Sequence, residues 1–421
     1  ERRVRHDQRH IALRQQIIQW LLDNTDGTKL MGRQHVVKHE NEIGHKKKGF
    51  EWDSASIALD RQRGVLSHTV MFYDMTEENA PVYRNKNQRH QFQFLKDQMK
   101  IRETWYYPES AYWVTFDNSV PMMLLPYLSA RLSDIDTCVA YGVPGHITFS
   151  SGWEWGYYLF DWSIARWSWR HVTNGVLQER TPTMYANELS NANKTQDAFK
   201  VSLALQQQYL KDSTLMQYMT AMTITDEIGL DALNDEYHPR PKVSYKLLQR
   251  KATQAEVDEV KNRILPQLTA FSAGTATQVA ELKSTMGKNK TYDTIVQEWI
   301  DGIEITGLRA QHRYYVLKYI LSYREAKLNK QKFDGTALLD SAAAVRSKAL
   351  EIVKRREPHY RYPLELIATR AYDHTSYHFG YLYTVSQLHF WNREEQEAKK
   401  NKYSPWFMNI WNVGRIAGFI N

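Results

Sequence analysis

Residues 102–110 read Arg102-Glu-Thr-Trp-Tyr-Tyr-Pro-Glu-Ser110, and the aromatic run at 104–107 is typical of a β-strand. A helical pattern follows at 122–136, entered through Pro121, and another strand pattern follows at 146–150. Strands that alternate with helices in this order predict βα units around a parallel sheet.

The same alternation extends over the first 180 residues, with further strand patterns at 34–38 and 66–73. From residue 181 onward, long segments have helical spacing and few strand signals. We therefore predict a βα barrel-like portion, partial or complete, at residues 1–180 and an all-α domain at 181–421. An open α/β sheet is the alternative. A partner chain or a missing N-terminal segment could complete the fold.

Composition narrows the functional classes. Hydrophobic residues make up 42% and charged residues 24% of the 421 residues, which is typical of a globular protein. The net charge is +8, and residues 1–50 carry eleven Lys/Arg against six Asp/Glu. This basic segment contains few aromatic residues, so we expect no nucleic-acid partner. No run approaches the roughly 20 apolar residues of a membrane helix, so we expect no transmembrane segment.

Several common chemistries are excluded by missing motifs. Cys138 is the single cysteine, which excludes a disulfide framework and any site with several cysteine ligands. The sequence contains no glycine-rich phosphate loop, no Gly-x-Gly-x-x-Gly and no Gly-x-Ser-x-Gly. We therefore expect no cofactor, no metal, and neither a nucleotide-dependent enzyme nor a serine hydrolase.

The segment 103–170 holds seven of the thirteen tryptophans, interleaved with carboxylates. Tryptophan and tyrosine can stack on the apolar face of a sugar ring, whose hydroxyls need carboxylate, amide or histidine partners. Cleavage of a glycosidic bond needs two carboxyl groups, one protonated and one ionised. An aromatic cleft would raise the pKa of one carboxyl group by desolvation. This pattern therefore predicts a carbohydrate site beyond the strand ends.

The best catalytic pair is Glu109 and Glu154, with Asp117 and Glu103 as further candidates. The predicted substrate-binding residues are Trp105, Tyr107, Trp113, Trp153, Trp155, Asp74, His39 and Glu40. The competing interpretation is that these carboxylates are buried partners of Arg102, Arg131 or Arg166 and that the tryptophans are core residues.

The stretches 105–109 and 152–156, together with the helical second half, resemble glycoside hydrolases that join an α/β barrel to a C-terminal helical domain. The resemblance is one of architecture and composition. It implies a hydrolase acting on a polysaccharide or glycoconjugate, and we expect an extracytoplasmic or secreted protein. The alternative is a non-catalytic glycan- or protein-binding subunit of a larger surface assembly. A structural subunit with an aromatic core is a third hypothesis.

Overall fold

The fold is described from a computed structural model of the chain. It describes residues 2–24, 30–34, 64–69, 73–78, 87–108, 122–149, 157–169, 172–173, 176–177, 179–189, 193–212, 215–219, 248, 252–287, 290–356 and 388–400. Helices account for 75% of these residues.

The described helices run in chain order and differ widely in length. They are α1 (Arg2–Asn24), α2 (Arg89–Met99), α3 (Pro126–Ala140), α4 (Tyr157–Ser168), α5 (Met184–Leu189), α6 (Asn193–Gln206), α7 (Met216–Met219), α8 (Gln254–Glu259), α9 (Leu265–Ser284), α10 (Lys290–Leu328), α11 (Thr336–Arg356) and α12 (His389–Lys400). Two π-helical turns, Gln207–Asp212 and Val260–Ile264, continue α6 and join α8 to α9.

The described strands form one parallel sheet and one small hairpin. The sheet contains β1 (Met31–Gln34), β2 (Gly64–Thr69) and β3 (Thr104–Pro108), in that order. Both pairs are parallel, and the register places Val65 opposite Thr104 and Thr69 opposite Pro108. The hairpin pairs β4 (Val172–Thr173) with β5 (Val176–Leu177).

The predicted barrel is wrong. Among the described residues the parallel sheet has three strands of four to six residues, and most of the chain is helical. An eight-stranded barrel closes because every strand has two neighbours, and three short strands cannot curl far enough to do so. The strand patterns near 66–73 and 104–107 were correct, but they belong to a small open sheet packed among helices.

Helix α3 begins at Pro126, not just after Pro121 as the sequence predicts. The residues immediately before it are buried, and their backbone amides bind side chains from the second half of the chain. The Met123 amide donates to Thr306 Oγ1 at 2.9 Å, and the Leu125 amide donates to Gln206 Oε1 at 2.9 Å. Long-range partners therefore satisfy amides at the start of α3 that a helix cannot satisfy itself.

Helices α9, α10 and α11 form the largest helical layer, and α10 is 39 residues long. Gly302 and Gly307 allow α10 to approach its neighbours closely. A Cβ at Gly302 would lie 2.6 Å from Met123 Sδ, and one at Gly307 would lie 2.7 Å from Thr275 Cγ2. Small residues at these points are therefore needed for the observed packing.

One hydrophobic core extends from Tyr73 to Ala398 and includes residues from both sides of position 180. The domain boundary predicted there remains a prediction. Asp334 accepts from the Thr336 amide at 3.0 Å, as expected for a residue that caps the start of α11. Among the described helices, none is long and apolar enough to span a membrane.

Candidate functional site

The candidate site lies where neighbouring parallel segments end. Residues 146–149 run alongside β3, with a parallel bridge between Tyr106 and His146. The Ile147 amide donates to the Tyr106 carbonyl at 3.1 Å, and the Phe149 amide donates to the Pro108 carbonyl at 2.8 Å. Since parallel segments end at one edge of a sheet, β2, β3 and residues 146–149 all lead to the same edge.

A buried polar group ties this edge to α3. We call it the Arg131 cluster, and it comprises Thr69, Tyr106, Arg131 and Asp134. Arg131 pairs with Asp134 at 2.9 Å, and the Tyr106 hydroxyl donates to Asp134 Oδ2 at 2.6 Å. Arg131 also donates to Thr69 Oγ1 and to the Tyr106 hydroxyl oxygen, each at 3.0 Å. All four side chains are at most 1% exposed.

The Arg131 cluster also holds the segment that contains Asp74. Arg131 donates to the Tyr73 carbonyl, and the Met75 amide donates to Asp134 Oδ1 at 2.8 Å. Residues on both sides of Asp74 are therefore fixed against α3. Substrate-binding groups need such support, because a small displacement of a contact group weakens binding.

Asp74 itself lies in a mostly buried polar environment. Its Oδ1 accepts from the Thr76 amide and hydroxyl, each at 2.8 Å. Lys211, on the π-helical turn after α6, lies 3.7 Å from Asp74 Oδ2 and 3.2 Å from Glu77 Oε2. All three side chains are 13–17% exposed. Two carboxylates and an ammonium could together bind the hydroxyls of a sugar.

Burial controls the charge of Asp134. Desolvation raises its pKa to about 6, although the Arg131 guanidinium and two hydrogen bonds favour the charged form. The pKa of Arg131 is raised by Asp134 and Tyr106 despite its own burial. The cluster therefore keeps a cation while its carboxyl group titrates at mildly acidic pH.

The opposite face of the sheet carries the aromatic candidates. Tyr107 is half-buried, and its ring centroid lies 4.9 Å from that of His68 and 6.3 Å from that of Phe149. Trp105 lies on the same face, because alternate residues of a strand share a face. Its indole nitrogen donates at 2.8 Å to Glu103, which precedes β3. Tyr107 lies two residues further along β3 than Trp105, so of these two aromatic residues it is the one nearer to the candidate site at the carboxyl end of the strand.

The other predicted residues fall outside the described residues. They are the catalytic candidates Glu109, Asp117 and Glu154 and the substrate-binding candidates Trp113, Trp153, Trp155, His39 and Glu40. The structure gives a carboxylate partner for two of the arginines named in the competing interpretation. Arg131 pairs with Asp134, and Arg166 pairs with Glu188 at 3.1 Å.

Two of the tryptophans expected to be core residues are packed, and one is not. The Trp167 indole donates to the Thr181 carbonyl at 3.1 Å, and the Trp162 ring lies 4.1 Å from that of Tyr185. Trp169, just beyond α4, is 73% exposed.

Lys211 and a second buried polar group were not predicted from the sequence. We call this second group the Arg309 cluster, and it comprises Arg309, His312, Arg313, Glu394 and Glu395. Arg309 binds Glu394 through two hydrogen bonds of 2.6 and 2.8 Å, and Arg313 lies 3.0 Å from Glu394. His312 Nε2 lies 3.1 Å from Glu395 Oε1. These contacts fix α12 against α10, and no local sequence signal links residues 85 positions apart.

Within the described ranges, no group of three or more histidine, cysteine or acidic side chains is arranged to hold a metal ion. No family model, curated protein or solved structure matches this chain.

Proposed function

We propose that the chain is a carbohydrate-active protein that hydrolyses glycosidic bonds in a polysaccharide or glycoconjugate. The parallel pairing of β3 with residues 146–149 carries this proposal. Glu109 directly follows Pro108 at the end of β3, and Glu154 comes five residues after Phe149. Neighbouring strands lie about 4.8 Å apart, and the two carboxyl groups of a glycosidase lie roughly 5–10 Å apart. Two adjacent strand ends are therefore a suitable source for such a pair.

In this proposal Glu109 and Glu154 divide the acid and the base or nucleophile roles between them. Asp117 is the reserve for either role. A carboxyl group beside aromatic rings is desolvated and keeps its proton more readily, which suits the acid role. One carboxyl group protonates the leaving oxygen as the glycosidic C–O bond breaks, and on the opposite face of the sugar the other carboxylate either attacks the anomeric carbon or takes a proton from the water that attacks it. Where the carboxylate attacks, water then hydrolyses the glycosyl-enzyme bond.

Substrate binding is assigned to groups near the same strand ends. Asp74, held by the Arg131 cluster and by Lys211, would accept hydrogen bonds from sugar hydroxyls. Tyr107, half-buried against His68, would offer a ring face for stacking. Trp113, Trp153 and Trp155 are proposed as further stacking residues on sequence grounds.

A glycan-substrate screen on the full chain tests the proposal, with released reducing ends as the readout. The wild type should release product from at least one glycan, and Glu109→Gln and Glu154→Gln should each lower the rate about 100-fold or more. Glu351→Gln is the matched control, because Glu351 is exposed and pairs only with Lys354 among the described residues.

Two results would count against the proposal. Wild-type activity in both the Glu109→Gln and Glu154→Gln variants would overturn the assignment of the catalytic pair. Binding of a glycan without any release of reducing ends would favour the non-catalytic binding subunit instead.

A further inference from the structure

A long groove on the helical layer is separate from the candidate site. It has a volume of about 720 Å³, within the usual range for small-ligand sites. Its lining extends along α9 from Thr269 to Lys283, and these fifteen residues of helix span about 21 Å. The opposite wall belongs to α10, and α11 contributes Lys348.

The groove exists because its floor is made of small side chains. Ala273, Ala276 and Ala280 lie one helical turn apart on α9 and line it. Beneath them α9 and α10 are in close contact, since a Cβ at Gly307 would meet Thr275 Cγ2 at 2.7 Å. The helices therefore cannot move closer to fill the space above the alanines.

The wall of the groove combines ring faces with polar groups. Tyr314 and Tyr315 are half-buried, with their ring centroids 5.3 Å apart in an edge-to-face arrangement. Lys318 donates to the Tyr314 hydroxyl at 3.1 Å, which helps to orient that ring. Gln311 on α10 and Ser272 on α9 add an amide and a hydroxyl. Aromatic faces beside amide and hydroxyl groups suit a ligand with an apolar ring face and many hydroxyls.

Two lysines and one glutamate line the groove, so positive charge is in excess. Lys283 and Glu304 lie 3.3 Å apart and balance each other. Lys348 is exposed at the groove, and among the described residues no carboxylate lies within ion-pair distance of it. One positive charge is therefore available to a ligand. A carboxylate on the ligand would complete this set of charges.

We infer that this groove binds an acidic oligosaccharide, with a uronate carboxylate on Lys348 and a sugar ring on Tyr314 or Tyr315. The inference rests on the proposed function, because it assigns the carbohydrate class to the sugar chain that the protein acts on. The groove would hold a part of that chain other than the bond that is cleaved.

Calorimetric titration of the full chain with trigalacturonate and with cellotriose tests the inference. Trigalacturonate should bind at least about tenfold more tightly than cellotriose, since one charge-assisted contact contributes about that factor. Lys348→Gln should remove this preference and leave cellotriose binding unchanged. Lys327→Gln, an exposed lysine on α10 outside the groove, is the matched control and should retain the preference.

A second variant tests, independently of charge, whether the sugar binds in the groove. Ala276→Leu should fill the floor and lower the affinity for both sugars, with circular dichroism used to confirm that the helices are retained. Equal binding of both sugars by the wild type, or binding unaffected by Lys348→Gln, would overturn the inference.

Hydrolysis measured in the same variants separates this inference from the proposed function. Loss of cleavage in Glu154→Gln with unchanged trigalacturonate binding would support two separate sites. Cleavage by a wild type that shows no groove-dependent binding would overturn the groove alone. Groove-dependent binding without cleavage of any glycan would overturn the hydrolase proposal alone.

Discussion

The Arg131 cluster gives its carboxylate one guanidinium, whereas the Arg309 cluster gives Glu394 two. Both carboxylates are fully buried, and desolvation is the largest influence on the pKa of each. A single arginine does not offset it at Asp134, so that pKa rises to about 6. Arg309 and Arg313 together outweigh it at Glu394, so that pKa lies below its usual value. The second guanidinium at Glu394 is therefore one cause of the opposite pKa directions, beside the hydrogen bonds and the other neighbouring charges.

The two clusters also have different structural tasks. The Arg131 cluster fixes a short segment around Asp74 at the end of the sheet. The Arg309 cluster fixes α12 to α10, and it also binds α7 through the Met219 and Tyr218 carbonyls, at 2.8 and 2.6 Å. We expect the Arg309 cluster to contribute more to global stability and the Arg131 cluster to affect the candidate site more.

The largest expected effect is that of Glu394→Gln. This change leaves two buried guanidiniums without their carboxylate, and it should lower the free energy of unfolding by about 3–5 kcal/mol. Urea denaturation at pH 7 measures it.

Glu351→Gln is the control for that measurement. Glu351 pairs with Lys354 on an exposed helix face, so its loss should cost at most about 1 kcal/mol. Equal losses in the two variants would contradict the role assigned to the Arg309 cluster.

Asp134→Asn should have a smaller effect, at most about 1.5 kcal/mol at pH 7, because the raised pKa of Asp134 means that burial already disfavours its charged form. Arg131 then loses its carboxylate but keeps the Thr69 hydroxyl, the Tyr106 hydroxyl and the Tyr73 carbonyl as acceptors. Urea denaturation again gives the value. A loss larger than that of Glu394→Gln would reverse the comparison between the clusters.

The smallest effect is the pH dependence, and its sign differs between the clusters. Because the folded-state pKa of Asp134 is raised, the folded protein binds a proton there before the unfolded chain does. As the pH is lowered from 7 to 5, the free energy of unfolding of the wild type should therefore rise by about 1 kcal/mol relative to that of Asp134→Asn.

In the Arg309 cluster, His312 and Glu394 should respond in the opposite direction, whereas the pKa of Glu395 is raised by burial and acts in the same direction as Asp134. Burial holds the pKa of His312 well below 6.5, so stability declines as the pH falls below 6.5 and the unfolded chain takes up a proton. The lowered pKa of Glu394 adds a further loss below about pH 4.5. Urea denaturation from pH 7 to pH 4 measures both trends, and parallel pH profiles for Asp134→Asn and Glu394→Gln would contradict the account.

Local patterns predicted part of this fold and missed the rest for physical reasons. The aromatic strand at 104–107 depends on neighbouring residues, and that prediction was correct. The helical pattern of α10 is clear in the sequence only at 314–326, although the helix begins at Lys290. Its first half faces the interior with Asp301, Thr306 and Arg309, whose partners lie far away in the sequence. Buried polar residues with distant partners hide helical periodicity.

The candidate site was predictable to a similar extent. Asp74 and Tyr107 were proposed from local strand patterns; Tyr107 lies in β3, whereas Asp74 lies five residues beyond the end of β2 at Thr69. Lys211 and the Arg131 cluster were not proposed, because they approach Asp74 from α3 and from the turn after α6. The barrel prediction was wrong because the sequence of a short apolar strand does not indicate how many other strands will pair in the same sheet.

The central claim is that Glu109 and Glu154 act as one catalytic pair, and a double-mutant comparison of hydrolysis rates tests it most directly. Glu109→Gln, Glu154→Gln and the double variant should lose nearly the same factor, since residues that act as a unit are strongly non-additive. The contrary result is a double variant whose loss is the product of two modest single losses, or a single variant that keeps the wild-type rate.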